Sequence, residues 1–116
     1  MAKYAALIEI DSGWLGKEQY LIKGASAKKI VQKFESVQDI PCLIEMGRSQ
    51  EDAAGQQSLD QLQAFYDKYQ NGKLTMDDLA ALTVSVSIGT IICLGVAVGD
   101  EEISALKLQY PDAISK

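Results

Sequence analysis

The sequence contains no histidine. That absence excludes Ser-His-Asp and Cys-His nucleophile systems, histidine-ligated zinc and haem, and the usual proton shuttle near pH 7. Any chemistry would have to run on carboxylates, lysine, tyrosine or a thiol. Cysteine is scarce too. Cys42 and Cys93 both lie inside apolar runs, where a thiol is expected to be a small, buried, reduced hydrophobe rather than part of a disulfide framework. The apolar stretch after Lys3 is short and interrupted by Glu9 and Asp11, unlike a secretory leader, so the expected compartment is cytoplasmic. There is one tryptophan, Trp14, and there are two prolines, Pro41 and Pro111.

What is present is an ordinary globular composition. The chain has 116 residues, 47% apolar and 23% charged, which suits one packed domain over residues 1–116. Sixteen acidic against eleven basic side chains give a net charge of -5. Such a chain repels phosphate backbones, so nucleic acid is not an expected partner, whereas a basic or polar surface on another protein is a better match.

Residues 4–10 read as a strand and 19–23 as its antiparallel neighbour, joined through the turn-rich segment 11–16. Ser26 then caps a helix whose apolar positions Ala27, Ile30, Val31, Phe34 and Val37 recur at intervals of three and four, with Lys28, Lys29 and Lys33 on the other face. After Pro41, the apolar run through Leu43 and Ile44 to Met46 predicts a buried strand ended by Gly47 and Arg48, followed over 49–57 by a polar loop with room for a helical turn. Leu59, Leu62, Phe65, Tyr66 and Tyr69 mark a second helix that begins near Ser58 and stops at Asn71-Gly72. A third, short helix opens at Thr75, with Asp78 completing a capping-box pattern.

Residues 79–99 carry no charge. Their length is that of a membrane span, but Val84-Ser85-Val86-Ser87-Ile88 alternates with period two and the flanks Asp77, Asp78, Asp100, Glu101 and Glu102 are all acidic. Sheet strands are the expectation, and no membrane association. Residues 106–110 alternate and end at Pro111, predicting a last strand reached through the acidic connection Gly99-Asp100-Glu101-Glu102. The resulting fold class is α+β, a mainly antiparallel sheet of about four to six strands with two or three helices on one face.

The most specific-looking motif covers residues 67–78, which resemble the twelve-residue calcium loop of an EF-hand. Asp67, Asn71, Gly72 and Asp78 stand at loop positions one, five, six and twelve. Tyr69, however, occupies a ligand position, and Asp78 replaces the longer glutamate that grips the ion with both oxygens. The same residues also read as a helix stop at Asn71-Gly72 and a cap at Thr75, so no metal or other cofactor is expected. Gly89, Gly95 and Gly99 lack the order of a phosphate loop and read as strand glycines. Lys23, Lys28, Lys29 and Lys33 read as a solvated face.

No catalytic constellation emerges, and the chain is expected not to be an enzyme. The functional expectation is a small acidic protein-binding module of the inhibitor, immunity or phage-accessory type. Its partner-binding residues would be Trp14 and Leu15 on the first turn and Asp100, Glu101 and Glu102 near the acidic end. The alternative is a domain that binds a small molecule or metal ion, with a homo-oligomer interface through the run from Val84 to Val98 as one location for the site.

Overall fold

A computed structural model describes residues 3–13 and 16–116. Its centre is a five-stranded sheet in the order β3-β4-β1-β2-β5. Strands β1 (Tyr4–Asp11) and β2 (Lys17–Gly24) form the expected antiparallel hairpin, and β3 (Thr83–Val86) and β4 (Gly89–Val98) form a second one. Antiparallel pairing of β4 with β1 joins the two hairpins, and β5 (Ile114–Ser115) adds a short parallel edge to β2. The α+β class and the mainly antiparallel sheet are as the sequence predicts.

The helices are more numerous than expected and lie on both faces of the sheet. On one face sit α1 (Ala27–Phe34), α2 (Ile40–Gln50), α3 (Ala53–Gln70) and α4 (Met76–Ala80), whose Phe34, Ile44, Leu59, Leu62 and Leu79 bury Ala6, Ile8, Tyr20 and Ile22. On the other face, α5 (Gly99–Gln109) lays Ile103 over Ala5, Leu7, Leu21 and Ala97. Residues 5–8 of β1 are therefore fully buried on both sides. A strand covered on both faces is expected to read as an unbroken apolar run, as Ala5-Ala6-Leu7-Ile8 does.

Two strands expected from the sequence are helices. The run at 43–46 belongs to α2, because Asp39 caps it by accepting the Cys42 N–H (3.0 Å) and Pro41 occupies the first turn, where a missing N–H costs nothing. Ile40, Ile44 and Gly47 then face the core at helical spacing. The expected loop at 49–57 is mostly the first turn of α3, opened by Asp52, whose carboxylate accepts the Gly55 N–H (2.9 Å). Gln56 reaches back to the carbonyls of Gly47 and Arg48, both at 3.2 Å, and so ties off the end of α2. The expected strand at 106–110 is the second half of α5, where Ile103, Leu106 and Tyr110 lie three and four residues apart and pack on the sheet. Leu108, which the alternation assigns to the same face as Leu106, is 82% exposed.

The two thiols also part company. Cys93 is buried as expected, and burial pushes its thiol above the ordinary range. Cys42 is exposed instead, because the helical turn of α2 points Ile40 and Ile44 inward and leaves Cys42 outside beside Met46, their sulfurs 3.8 Å apart. With an aromatic disulfide reagent at neutral pH, the native protein should release one equivalent of chromophore quickly, and Cys42→Ser should abolish that phase. Two equally fast thiols would contradict this burial.

Tyr66 and Tyr69 on α3, with ring centroids 5.6 Å apart, face the end of α1. Burial first, then a hydrogen bond to Glu35 and its charge, push the Tyr69 phenol up to about 12. A phenol whose folded pKa is raised stabilises the fold fully below pH 10 and loses that contribution as pH rises through about 12. Absorbance titration at 295 nm should show a late-ionising tyrosine that Tyr69→Phe removes and Glu35→Gln shifts downward.

Candidate functional site: a cleft beside the β3 edge

Strand β3 ends the sheet, so one of its sides has no strand neighbour. The Cys93 N–H donates to the Leu82 carbonyl (2.9 Å), which sets Leu82, Val84 and Val86 as the residues bonded to β4. By alternation, the backbone groups of Thr83, Ser85 and Ser87 point outward. An open edge of this kind invites pairing with another chain.

Most of this edge is closed by side chains. The Ser58 hydroxyl on α3 accepts the Ser85 N–H (3.4 Å), and the Glu51 carboxylate accepts the Ser87 N–H (2.9 Å) as well as the Ser87 hydroxyl. Closure stops at Thr83. There α3 and the strand part, leaving a cleft of about 320 Å³. Gln61, Ala64, Phe65 and Lys68 line it from α3, Asp78 from the first turn of α4, Ala81 from just past its end, and Leu82, Thr83 and Val84 from the start of the strand. The walls are mainly apolar, and Ala64 keeps the helix side low.

One ion pair stands at the mouth. Lys68 Nζ lies 3.0 Å from Asp78 Oδ1, and Asp78 Oδ2 accepts the Thr75 N–H at 3.1 Å in a completed capping box. The Lys68 ammonium and these Thr75 contacts hold the Asp78 carboxyl below its ordinary range. Lys68 and Asp78 thus offset each other's charge at the mouth of the cleft. An apolar hollow with a paired polar rim has the make-up of a binding surface.

The residues of the EF-hand-like motif serve as helix ends. Asp67 sits inside α3 and accepts from Gln63 (2.9 Å), Asn71 terminates that helix, Gly72 takes the left-handed turn at φ 70°, and Asp78 caps α4. Among the described residues, no group of three or more cysteine, aspartate or glutamate side chains could hold a metal ion. Asp100, Glu101 and Glu102 form the first turn of α5, not a connection between strands. Gly99, at φ 83°, turns the chain from β4 into this helix. Carboxylates at a helix N-terminus complement its dipole, and Glu102 accepts the Val98 N–H (3.0 Å). Trp14 and Leu15 lie outside the described residues. The run from Val84 to Val98 supplies the edge strand β3 and the interior strand β4.

A second hollow, of about 280 Å³, lies between the β1–β2 end and Val37 and Gln38. Its main polar groups are turned on each other: the Tyr20 hydroxyl donates to Glu18. No helix among the described residues is long and apolar enough to cross a membrane.

Sequence reasoning did not find the β3 cleft, because its parts meet across 27 and 36 residues at the Ser58–Ser85 and Glu51–Ser87 bonds. The one local signal is small: Ala64 interrupts the larger residues along α3. Compared with protein-family models, curated proteins and solved structures, the chain finds no match.

Proposed function

We propose that this chain is a small acidic, non-enzymatic protein-binding module that acts in the cytoplasm by occupying a partner's surface, as inhibitors, immunity proteins and phage accessory factors do. The α3–β3 cleft is its docking site. One observation carries the proposal: the sheet edge is closed by Ser58 and Glu51 along Ser85 and Ser87, yet left open at Thr83, where an apolar cleft adjoins it. An extended segment can pair with such an edge through its main chain and set a side chain into the hollow.

The test compares capture from native lysate by the wild-type chain and by Ala64→Trp, a change at an exposed helix position that fills the cleft. The expected result is one stoichiometric partner, lost with Ala64→Trp and kept with Leu108→Ala on the opposite face. Equal capture by both variants would refute the cleft as the docking site. The cleft volume also supports a second reading, since about 320 Å³ falls at the small end of ligand pockets. A small molecule that raises the melting temperature in a saturable way, without any protein partner, would favour it.

A further inference from the structure

The chemistry of the cleft's occupant follows from the charges around it. Residues 40–80, which make up α2, α3 and α4, hold seven carboxylates and three cations. Two of those cations are already engaged: Arg48 with Asp60 at 2.8 Å, and Lys68 with Asp78 at 3.0 Å. Among the described residues, Lys73 alone is then left to set against Glu45, Glu51, Asp52, Asp67 and Asp77. Three of the cleft's polar lining positions, Gln61, Lys68 and Asp78, each have a carboxylate as the preceding residue: Asp60, Asp67 and Asp77. Neighbours in sequence lie well inside the roughly 8–10 Å over which charges act at physiological salt. The hollow itself is apolar and internally neutral, and its surroundings are negative.

Resting on the docking site proposed above, we infer that the occupant is an extended, cationic segment of a partner protein, with an aliphatic residue flanked two positions away on each side by lysine or arginine. One aliphatic side chain enters the hollow against Ala64 and the exposed margins of Phe65 and Leu82. The main chain pairs with the outward N–H and C=O of Thr83. The flanking cations lie toward Asp67 and Asp77, the two of these carboxylates not already paired with a cation among the described residues. Spacing matters because residues i, i+2 and i+4 of a strand share one face, so a single segment can turn the aliphatic residue and a base on each side of it toward α3 and α4.

The test uses three blocked pentapeptides added to the isotopically labelled full chain, with amide shifts as the readout. They are acetyl-Lys-Thr-Val-Thr-Lys-amide, its acidic twin with glutamate for lysine, and its polar twin with serine for valine. The expected result is a saturable shift at Gln61, Ala64, Phe65 and Thr83 with the basic apolar peptide, and binding at least about tenfold weaker for each twin. Ala64→Trp should abolish it. Thr83→Pro should weaken it, because proline removes an outward N–H while leaving the bonds to β4 in place; an unchanged melting profile would show that this variant is folded. If the acidic twin binds the same residues equally well, the cationic assignment fails while the cleft remains a docking site. If no peptide shifts these residues, both fail. Shifts spread over carboxylates away from the cleft, and equal for the serine twin, would also overturn the assignment.

Discussion

Truncating Leu59 to alanine should lower folding stability by about 2–5 kcal/mol, the range for removing a fully buried leucine from a packed core. Leu59 is 0% exposed and fills the space where Gly47 on α2 lacks a side chain. A β-carbon on Gly47 would stand 2.6 and 2.9 Å from the two methyl carbons of Leu59. Gly47→Ala alone should therefore be destabilising by overpacking, about 1–3 kcal/mol, offset in part by about 1 kcal/mol of better helix propensity. In the Leu59→Ala background the same change should become neutral or stabilising, since the new methyl enters the vacated space. Urea unfolding of the four proteins in this cycle measures the coupling. Strictly additive effects would contradict the packing of α2 on α3 through this pair.

The second large effect is expected at Gly89, the first residue of β4. A β-carbon there would lie 2.6 Å from the Asp11 carbonyl oxygen and 3.4 Å from Ser12 Cα. These are backbone atoms of the end of β1 and the turn after it, so no rotamer change relieves the overlap. Separating the chains would disturb the Asp11–Thr90 pairing. Gly89→Ala should cost about 1–3 kcal/mol, seen as a lower urea midpoint at unchanged m. Gly72→Ala is a useful contrast, because its left-handed φ is strained for alanine but its β-carbon would meet nothing within 4 Å. A smaller loss at Gly89 than at Gly72 would refute the close approach of β4 to the β1 end.

The parts of the fold legible in the sequence are those fixed by local chemistry. Ser26 and Thr75 announce their helices by capping, and both do cap. The alternation of Val84 and Val86 with Ser85 and Ser87 gives a strand buried on one side. Two segments misled, for one reason. A short apolar run such as 43–46, or a five-residue alternation such as 106–110, satisfies strand and helix patterns alike. The signals that decide between them stood just upstream: Asp39 with Pro41 for α2, and Asp100, Glu101 and Glu102 for α5. Both are helix-start chemistry. Cys42 was misassigned along with α2, since its exposure follows from helical rather than strand geometry.

The cleft was not legible, because nothing local encodes it. Glu51 looks like a loop acid and Ser58 like a helix start, and their role is visible only once α3 lies along β3. Among the described residues the outward N–H of Thr83 has no partner, whereas those of Ser85 and Ser87 have one. Lys68 and Asp78 are ten residues apart; in sequence Asp78 reads as part of a capping box and of a calcium-loop resemblance, with nothing to pair it with Lys68, although together they neutralise the mouth of the cleft.

The most direct test is native-state amide hydrogen exchange along β3. If the edge is closed at Ser87 by the Glu51 carboxylate and open at Thr83, the Ser87 amide should be protected and the Thr83 amide should exchange close to the rate of an unstructured chain. Glu51→Ala should release Ser87 alone. Protection of Thr83 equal to that of Ser87 would mean that the edge is closed along its whole length, and the docking site beside it would have no backbone to offer.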